Sequence, residues 1–459
     1  MRITRAALVA GVLTAALAAG TAAAGPGVGL ASTARSLAQA GPGPGSVLWT
    51  SVHPAGGRAV VANPKGGQVF VAGSGYLTAV NPTTGATLWT NSAGGGQSVA
   101  VSQDGTTVFV IKSVTAPGGA NFWTAAFGAA TGKELWARQY NGRANGTDRP
   151  AALAVSPNGK TVFVTGTSQG ASTGVDYATV AYASASGRQL WVARYNGHGR
   201  SRDFAAAIAV DPIGESVFVT GYSFGGTIGA SFATIAYSAM TGKAQWTKRY
   251  SQPDKQNAGS SLAVSPDGRQ VFVTGESSVK GEGNAIATVA YAARTGALLW
   301  ARRYHAAQDR NDSPAVVLTS PRGGGTVLVA GSTTGTADDL VVLAYNAANG
   351  QVKWARRFTH PGFQTEDLGG AALSADGRVL YLAGSAFVVP GGEEPAHSLT
   401  FALNAHTGAQ LWSTTVSTKY PFQVAGWISL APGGSAVYIG VADQIEGGAQ
   451  EFTIFALRT

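Results

Sequence analysis

A phrase ending in tryptophan recurs eight times along this chain. Trp49, Trp89, Trp136, Trp191, Trp246, Trp300, Trp354 and Trp412 stand 40, 47, 55, 55, 54, 54 and 58 residues apart. A period of that length, filled with short β-like runs, is the mark of a β-propeller, in which each repeat is one small sheet. The 64 glycines and the 12% of charged residues suit many short strands joined by tight turns.

Residues 247–300 show how one unit is built. Ser260 to Val264 reads as an inner strand, and Ser265-Pro266-Asp267-Gly268 as a tight turn. Gln270 to Gly275 is the second strand, Ala287 to Tyr291 the third, and Ala297 to Trp300 opens the fourth after the Thr295-Gly296 turn. The first strands are built from small residues, such as Ala205-Ala206-Ala207, as crowding at a ring axis requires. The tryptophans fall on the outer strands, where diverging blades leave a wedge for a large ring to fill.

Closure can be counted. The last unit supplies three strands, ending in Phe452 to Leu457, whereas residues 46–49 form a fourth strand with no preceding three. Pairing them removes two open edges. The expected fold is all-β: an eight-bladed propeller of four-stranded antiparallel blades, spanning 46–459 and closed by strand 46–49 in the last blade.

Residues 1–24 read as a secretory signal peptide, with Arg2 and Arg5, the apolar run Ala6 to Leu17 and a small-residue site at Thr21 to Ala24. Residues 25–45, rich in Gly, Pro and Ala, read as a linker. The apolar run is too short for a membrane span. The expected location is therefore extracellular. With no cysteine, the chain has no disulfide, no thiolate metal site and no lipidation site.

The phrases Thr295 to Trp300 and Thr131 to Trp136 resemble the tryptophan-docking repeat of the PQQ-like quinoprotein propellers, whose usual blade number is eight. Asp176-Tyr177-Ala178-Thr179-Val180-Ala181-Tyr182, followed by Leu190 to Gly197, is similar to the secreted bacterial β-propeller repeat called SBBP. The quinoprotein resemblance implies PQQ, a calcium ion and a catalytic aspartate at the ring's centre. The adjacent cysteine pair of those dehydrogenases cannot exist here, and no residue is carried over as catalytic.

In a blade of this strand order the Ser-Pro-Asp-Gly and Thr-Gly turns share one face, and the long connections share the other. Units 3 to 7 are longer than units 1 and 2, so a raised crescent of loops is expected over them, where binding usually resides. Its candidate ligand-binding residues are Asp148, Arg149, Asp176, Tyr177, Arg202, Asp203, Asn257, Arg310, Asp312, Asp339, Glu366 and Asp367. Carboxylates and arginines around an axis suit a sugar or a charged peptide; as self-paired surface charges they would contribute little. His198, His305 and His360 lie in equivalent loops of different blades, too far apart for one metal ion.

The net charge is +9, and much of it follows the outer-strand tryptophans as Arg138, Arg194, Lys248-Arg249, Arg302-Arg303 and Arg356-Arg357. Basic side chains at exposed edges discourage strand pairing between molecules. A girdle of this kind is not the clustered patch of a nucleic-acid binder. No phosphate loop, His-Glu-x-x-His or nucleophile elbow is present. The expectation is a secreted, non-catalytic binding propeller presenting the loops of blades 3–7 to a protein or glycan at the cell surface, as a monomer and without a cofactor. The alternatives are a PQQ- or metal-dependent oxidoreductase and a carbohydrate-active enzyme using channel carboxylates.

Overall fold

The computed structural model describes residues 43–459, apart from residue 55 and the segments 199–201, 226–228, 252–255, 280–282, 307–310, 322–324, 335–338, 359–364, 388–396, 419–421 and 445–449. The signal peptide and nearly all of the linker expected from the sequence lie outside the described residues. Within them, strands β1 (Val47–Pro54) to β32 (Gln450–Arg458) form eight four-stranded antiparallel sheets and no helix. No helix of the described residues is long and apolar enough to cross a membrane.

The sheets are the blades of a propeller ring. Blades 1 to 7 each use four consecutive strands, starting with β2 (Gly57–Ala62), β3 (Val69–Gly73), β4 (Leu77–Val80) and β5 (Thr87–Asn91). The eighth blade takes β30 (Phe422–Leu430), β31 (Ala436–Gln444) and β32 from the C-terminal end and β1 from the N-terminal end. The closing strand is longer than the sequence suggested. Beyond Trp49 it continues as Thr50 opposite Phe455 and Val52 opposite Thr453, ending at Pro54 opposite Glu451.

The second and third strands of the blades centre on buried apolar residues, broken by buried threonines such as Thr165 and Thr274, because both of their faces are covered. Phe272, Trp300, Val317, Val341 and Tyr345 form one core cluster shared by blades 5 and 6. The indole N–H of most outer tryptophans reaches into the next blade: Trp136 Nε1 donates to the Ser184 carbonyl at 2.6 Å, Trp246 to Ala293 at 2.7 Å and Trp300 to Ala347 at 2.8 Å. The innermost strands touch one another all round, including β30 against β2. Each inner strand of blades 3 to 8 also carries a register shift, such as Pro150/Ala152 and Ala205/Ala207. These bulges bend the strand and fix which side chains turn inward above them.

Candidate functional site

The long-loop face is organised by one repeated polar position. Asp148, Asp203, Asn257 and Asp312 each stand two residues before the bulge of their blade's first strand. All four are fully buried. Asp148 Oδ2 accepts the Gly142 N–H at 2.7 Å, Asp203 Oδ2 that of Gly197 at 2.7 Å and Asp312 Oδ2 that of Ala306 at 2.8 Å. The second oxygen of Asp203 accepts the Ser223 hydroxyl at 2.5 Å, as Asn257 Oδ1 accepts that of Ser277 at 2.7 Å. These side chains therefore tie down the loop that arrives from the preceding blade. Burial pushes the Asp203 carboxyl above the ordinary carboxylate range, while the Ser223 hydroxyl and the Gly197 N–H pull it back.

A second repeated position is the arginine three residues after the tryptophan. Arg194 Nη1 donates to Ser168 Oγ at 2.5 Å and to the Tyr140 hydroxyl of blade 2 at 3.2 Å, while Nη2 meets Asp176 Oδ2 at 2.9 Å. Arg249 repeats the arrangement with Ser223 Oγ at 2.7 Å, Tyr195 at 3.0 Å and Ser231 at 3.2 Å. Arg357 pairs with Asp339 in blade 6. Tyr177 is wholly buried and donates to the Ala233 carbonyl at 3.3 Å. Burial raises its phenol well above the usual range. The sequence reading placed Arg194 and Arg249 only among the basic guards of the outer edge and did not single out Ser168 or Ser223, although their identical offsets from tryptophan and from the second-strand glycine were a usable signal.

Four of the expected site residues thus sit inside the blades, and Asp176, Asp339 and Tyr177 serve inter-strand and inter-blade contacts. Arg149, Arg202 and Asp367 are exposed. Arg310 lies outside the described residues, as does the side chain of Glu366. His198 is exposed and His305 half-buried, and His360 lies outside the described residues.

Beside the exposed set stand residues the sequence reading missed. Phe204 is 40% exposed and packs against Tyr222 with ring centroids 6.0 Å apart. Phe204 replaces the small or polar residue of its equivalents Ala258 and Ser313, which was its only signal. Ser313 Oγ of blade 6 donates to Glu276 Oε1 of blade 5 at 2.5 Å, bridging the two blades.

Arg149, Arg202, Phe204, Tyr222 and Asp367 offer cations, an aromatic pair and a carboxylate. The buried aspartates hold loop backbone, and no group of three His, Cys, Asp or Glu side chains among the described residues could hold a metal ion.

Fold and repeat together define a PQQ-type β-propeller repeat protein. The chain belongs to the family described as outer membrane protein assembly factor BamB, which matches residues 33–279, 121–357 and 284–448. The overlap of the three matches reflects interchangeable blades. Among solved structures the fold is similar to Sqt1 from Chaetomium thermophilum, with TM-score 0.56, 12% identity and coverage of 89% of this chain and 97% of that one. Sqt1 bound to the N-terminus of the ribosomal protein L10 is similar at TM-score 0.55, 11% identity and 88% and 97% coverage. Quinohemoprotein alcohol dehydrogenase from Comamonas testosteroni is similar at TM-score 0.54, 15% identity and 89% and 76% coverage. At such identities the likeness is one of fold. No curated protein sequence matches the chain.

Proposed function

We propose that this chain is an exported, non-catalytic binding propeller that offers the long-loop face of blades 3–7 to a protein partner at the cell surface. The observation that carries this reading is where the polar side chains are used. Asp148, Asp203 and Asp312 hold loop backbone, and Asp176 and Asp339 hold arginines. What remains outward, Arg149, Arg202, Phe204 and Asp367, is the mixture of arginine, aromatic ring and carboxylate that anchors protein interfaces. The family is described as an assembly factor, and one propeller of similar fold was solved bound to a protein N-terminus. The basic, apolar and small-residue order of residues 1–24 supports export.

The test is capture of cell-envelope proteins on the immobilised chain, repeated with Arg149→Ala/Phe204→Ala. A partner retained by the native chain and lost by the variant supports the reading. A thermal-shift titration with PQQ plus calcium, and with a glycan panel, tests its rivals, since a ligand of the folded state raises the melting temperature. Stabilisation by PQQ together with dye-linked substrate oxidation would sink the binding-module reading. A shift with a glycan alone would reassign the face to carbohydrate.

A further inference from the structure

Each blade presents its outer strand as a sheet edge on the rim, the other edge being the inner strand at the ring axis, and among the described residues these eight rim edges differ in charge. In blades 2 to 6 each carries Arg or Lys. In blades 7, 8 and 1 the outer strands are β29 (Gln410–Val416), β1 and β5, reading QLWSTTV, VLWTSVHP and TLWTN without a single Lys, Arg, Asp or Glu. Ring closure makes these three blades neighbours, with Gly45 at the start of the latch lying on Trp412 of blade 7.

Three of the five charged edges are capped as well as charged. In blades 2, 5 and 6 the arginine two residues after the tryptophan folds back onto its own strand. Arg138 Nη1 donates to the Ala137 carbonyl at 2.7 Å, Arg302 to Ala301 at 2.8 Å and Arg356 to Ala355 at 3.0 Å. The carbonyl after the tryptophan is thus one that faces away from the sheet. Ser413, Thr50 and Thr90 hold that place in blades 7, 8 and 1. The residues that would cap them are Thr414, Ser51 and Asn91, and Asn91 Nδ2 turns instead to the Gly132 carbonyl at 2.8 Å. Among the described residues β29, β1 and β5 each pair on one side only.

An unpaired, uncapped edge is a template for another strand. The choice of strand follows from charge. The chain is +9 overall, and a copy approaching through its basic blades would set like charges opposite one another across a shared sheet, which is unfavourable. In the neutral sector an edge meets its own image without that repulsion. Antiparallel pairing about a two-fold axis lets one strand serve as both partners, and β1, at eight residues, is the longest outer strand. We infer that two copies of this chain associate through the outer edge of blade 8, β1 pairing antiparallel with β1 of the second copy, with β29 and β5 flanking the contact. The exposed Leu48, Leu88 and Leu411 lie on these same strands, where a second copy would cover them. Exposed leucines also stand beside the basic strands, so charge and capping, not apolar area, single out this sector.

The test is sedimentation velocity of the full chain across about a hundredfold concentration range, bracketing the micromolar affinities typical of weak dimers. The expected result is a concentration-dependent dimer. Thr50→Lys/Val52→Lys should raise its dissociation constant at least about tenfold, and Thr90→Lys/Thr415→Lys, which leaves the latch untouched, should weaken it too. Gln139→Lys, on the edge of blade 2, should leave it unchanged. Circular dichroism and melting temperature verify that each variant is folded. A chain monomeric at every concentration overturns the inference, as does a dimer that survives both double substitutions. A monomer that instead takes up an added uncharged strand-forming peptide overturns it in favour of a foreign strand.

Discussion

The ring of Trp300 lies so close to Gly350 of the next blade that a Cβ built on Gly350 would come within 2.6 Å of Trp300 Cδ2. The glycine also holds φ at +69°, a conformation other residues adopt only at a cost. The same relation joins Trp246 to Gly296, and it closes the ring where Gly45 meets Trp412. Each blade thus seats its outer tryptophan under the turn of its neighbour.

Gly350→Ala violates both conditions at once. It should lower stability by about 2–4 kcal/mol, from positive-φ strain together with overpacking, read as a drop in urea midpoint without change in slope.

The indole hydrogen bond can be separated from the packing. Trp300 Nε1 donates to Ala347, whereas the buried Trp354 Nε1 has no partner among the described residues. Trp300→Phe should therefore cost about 1 kcal/mol more than Trp354→Phe, the worth of one buried hydrogen bond. Equal losses in the two variants would count against a role for the bond.

Asp203→Asn should be well tolerated, since Asn257 fills the equivalent place in the next blade with the same serine contact. Asp203→Ala should be worse by about 1–3 kcal/mol, because the Gly197 N–H and the Ser223 hydroxyl lose their acceptor. The pH dependence carries the sign. With its folded pKa raised by burial, Asp203 contributes stability that is present below its unfolded value and lost as pH rises through the raised one. Asp203→Asn removes that segment of the stability–pH curve, which chemical unfolding in a pH series would detect.

His53 gives the opposite sign on the closing strand. It is buried beside Ser51 and stacked on Tyr76 at 6.0 Å, and burial lowers its pKa to about 4. Neutral His53 thus contributes stability present above pH 6.5 and lost as pH falls through about 4, on the order of 3 kcal/mol. His53→Phe should flatten the stability curve in that window. An unchanged curve would mean that acid opens the ring elsewhere.

Arg194→Ala should cost about 3–5 kcal/mol by stranding the buried Asp176 carboxylate. Asp176→Ser should be milder, because Arg249 already meets Ser231 at that position in blade 4. Thermal unfolding of the two variants side by side decides it.

The sequence by itself determined the blades, their number and their closure. Tryptophans at a fixed period and turn glycines at fixed offsets state one repeat eight times over, and the three-strand remainder at one end matched the lone strand at the other. It did not determine which polar residues face out. Asp148 and Arg149 are neighbours in the chain, yet the first is sealed in the blade and the second exposed, because successive strand residues turn to opposite sides and pairing register decides which. The basic residues were legible as guards of the outer edge. Only the structure shows Arg302 also bridging to the Gly350 carbonyl at 2.9 Å, and Arg194 holding Ser168 and Asp176. The neutral sector of blades 7, 8 and 1 is likewise a product of tertiary structure. Its strands lie at opposite ends of the chain, and only the pairing of β1 with β32 sets them side by side.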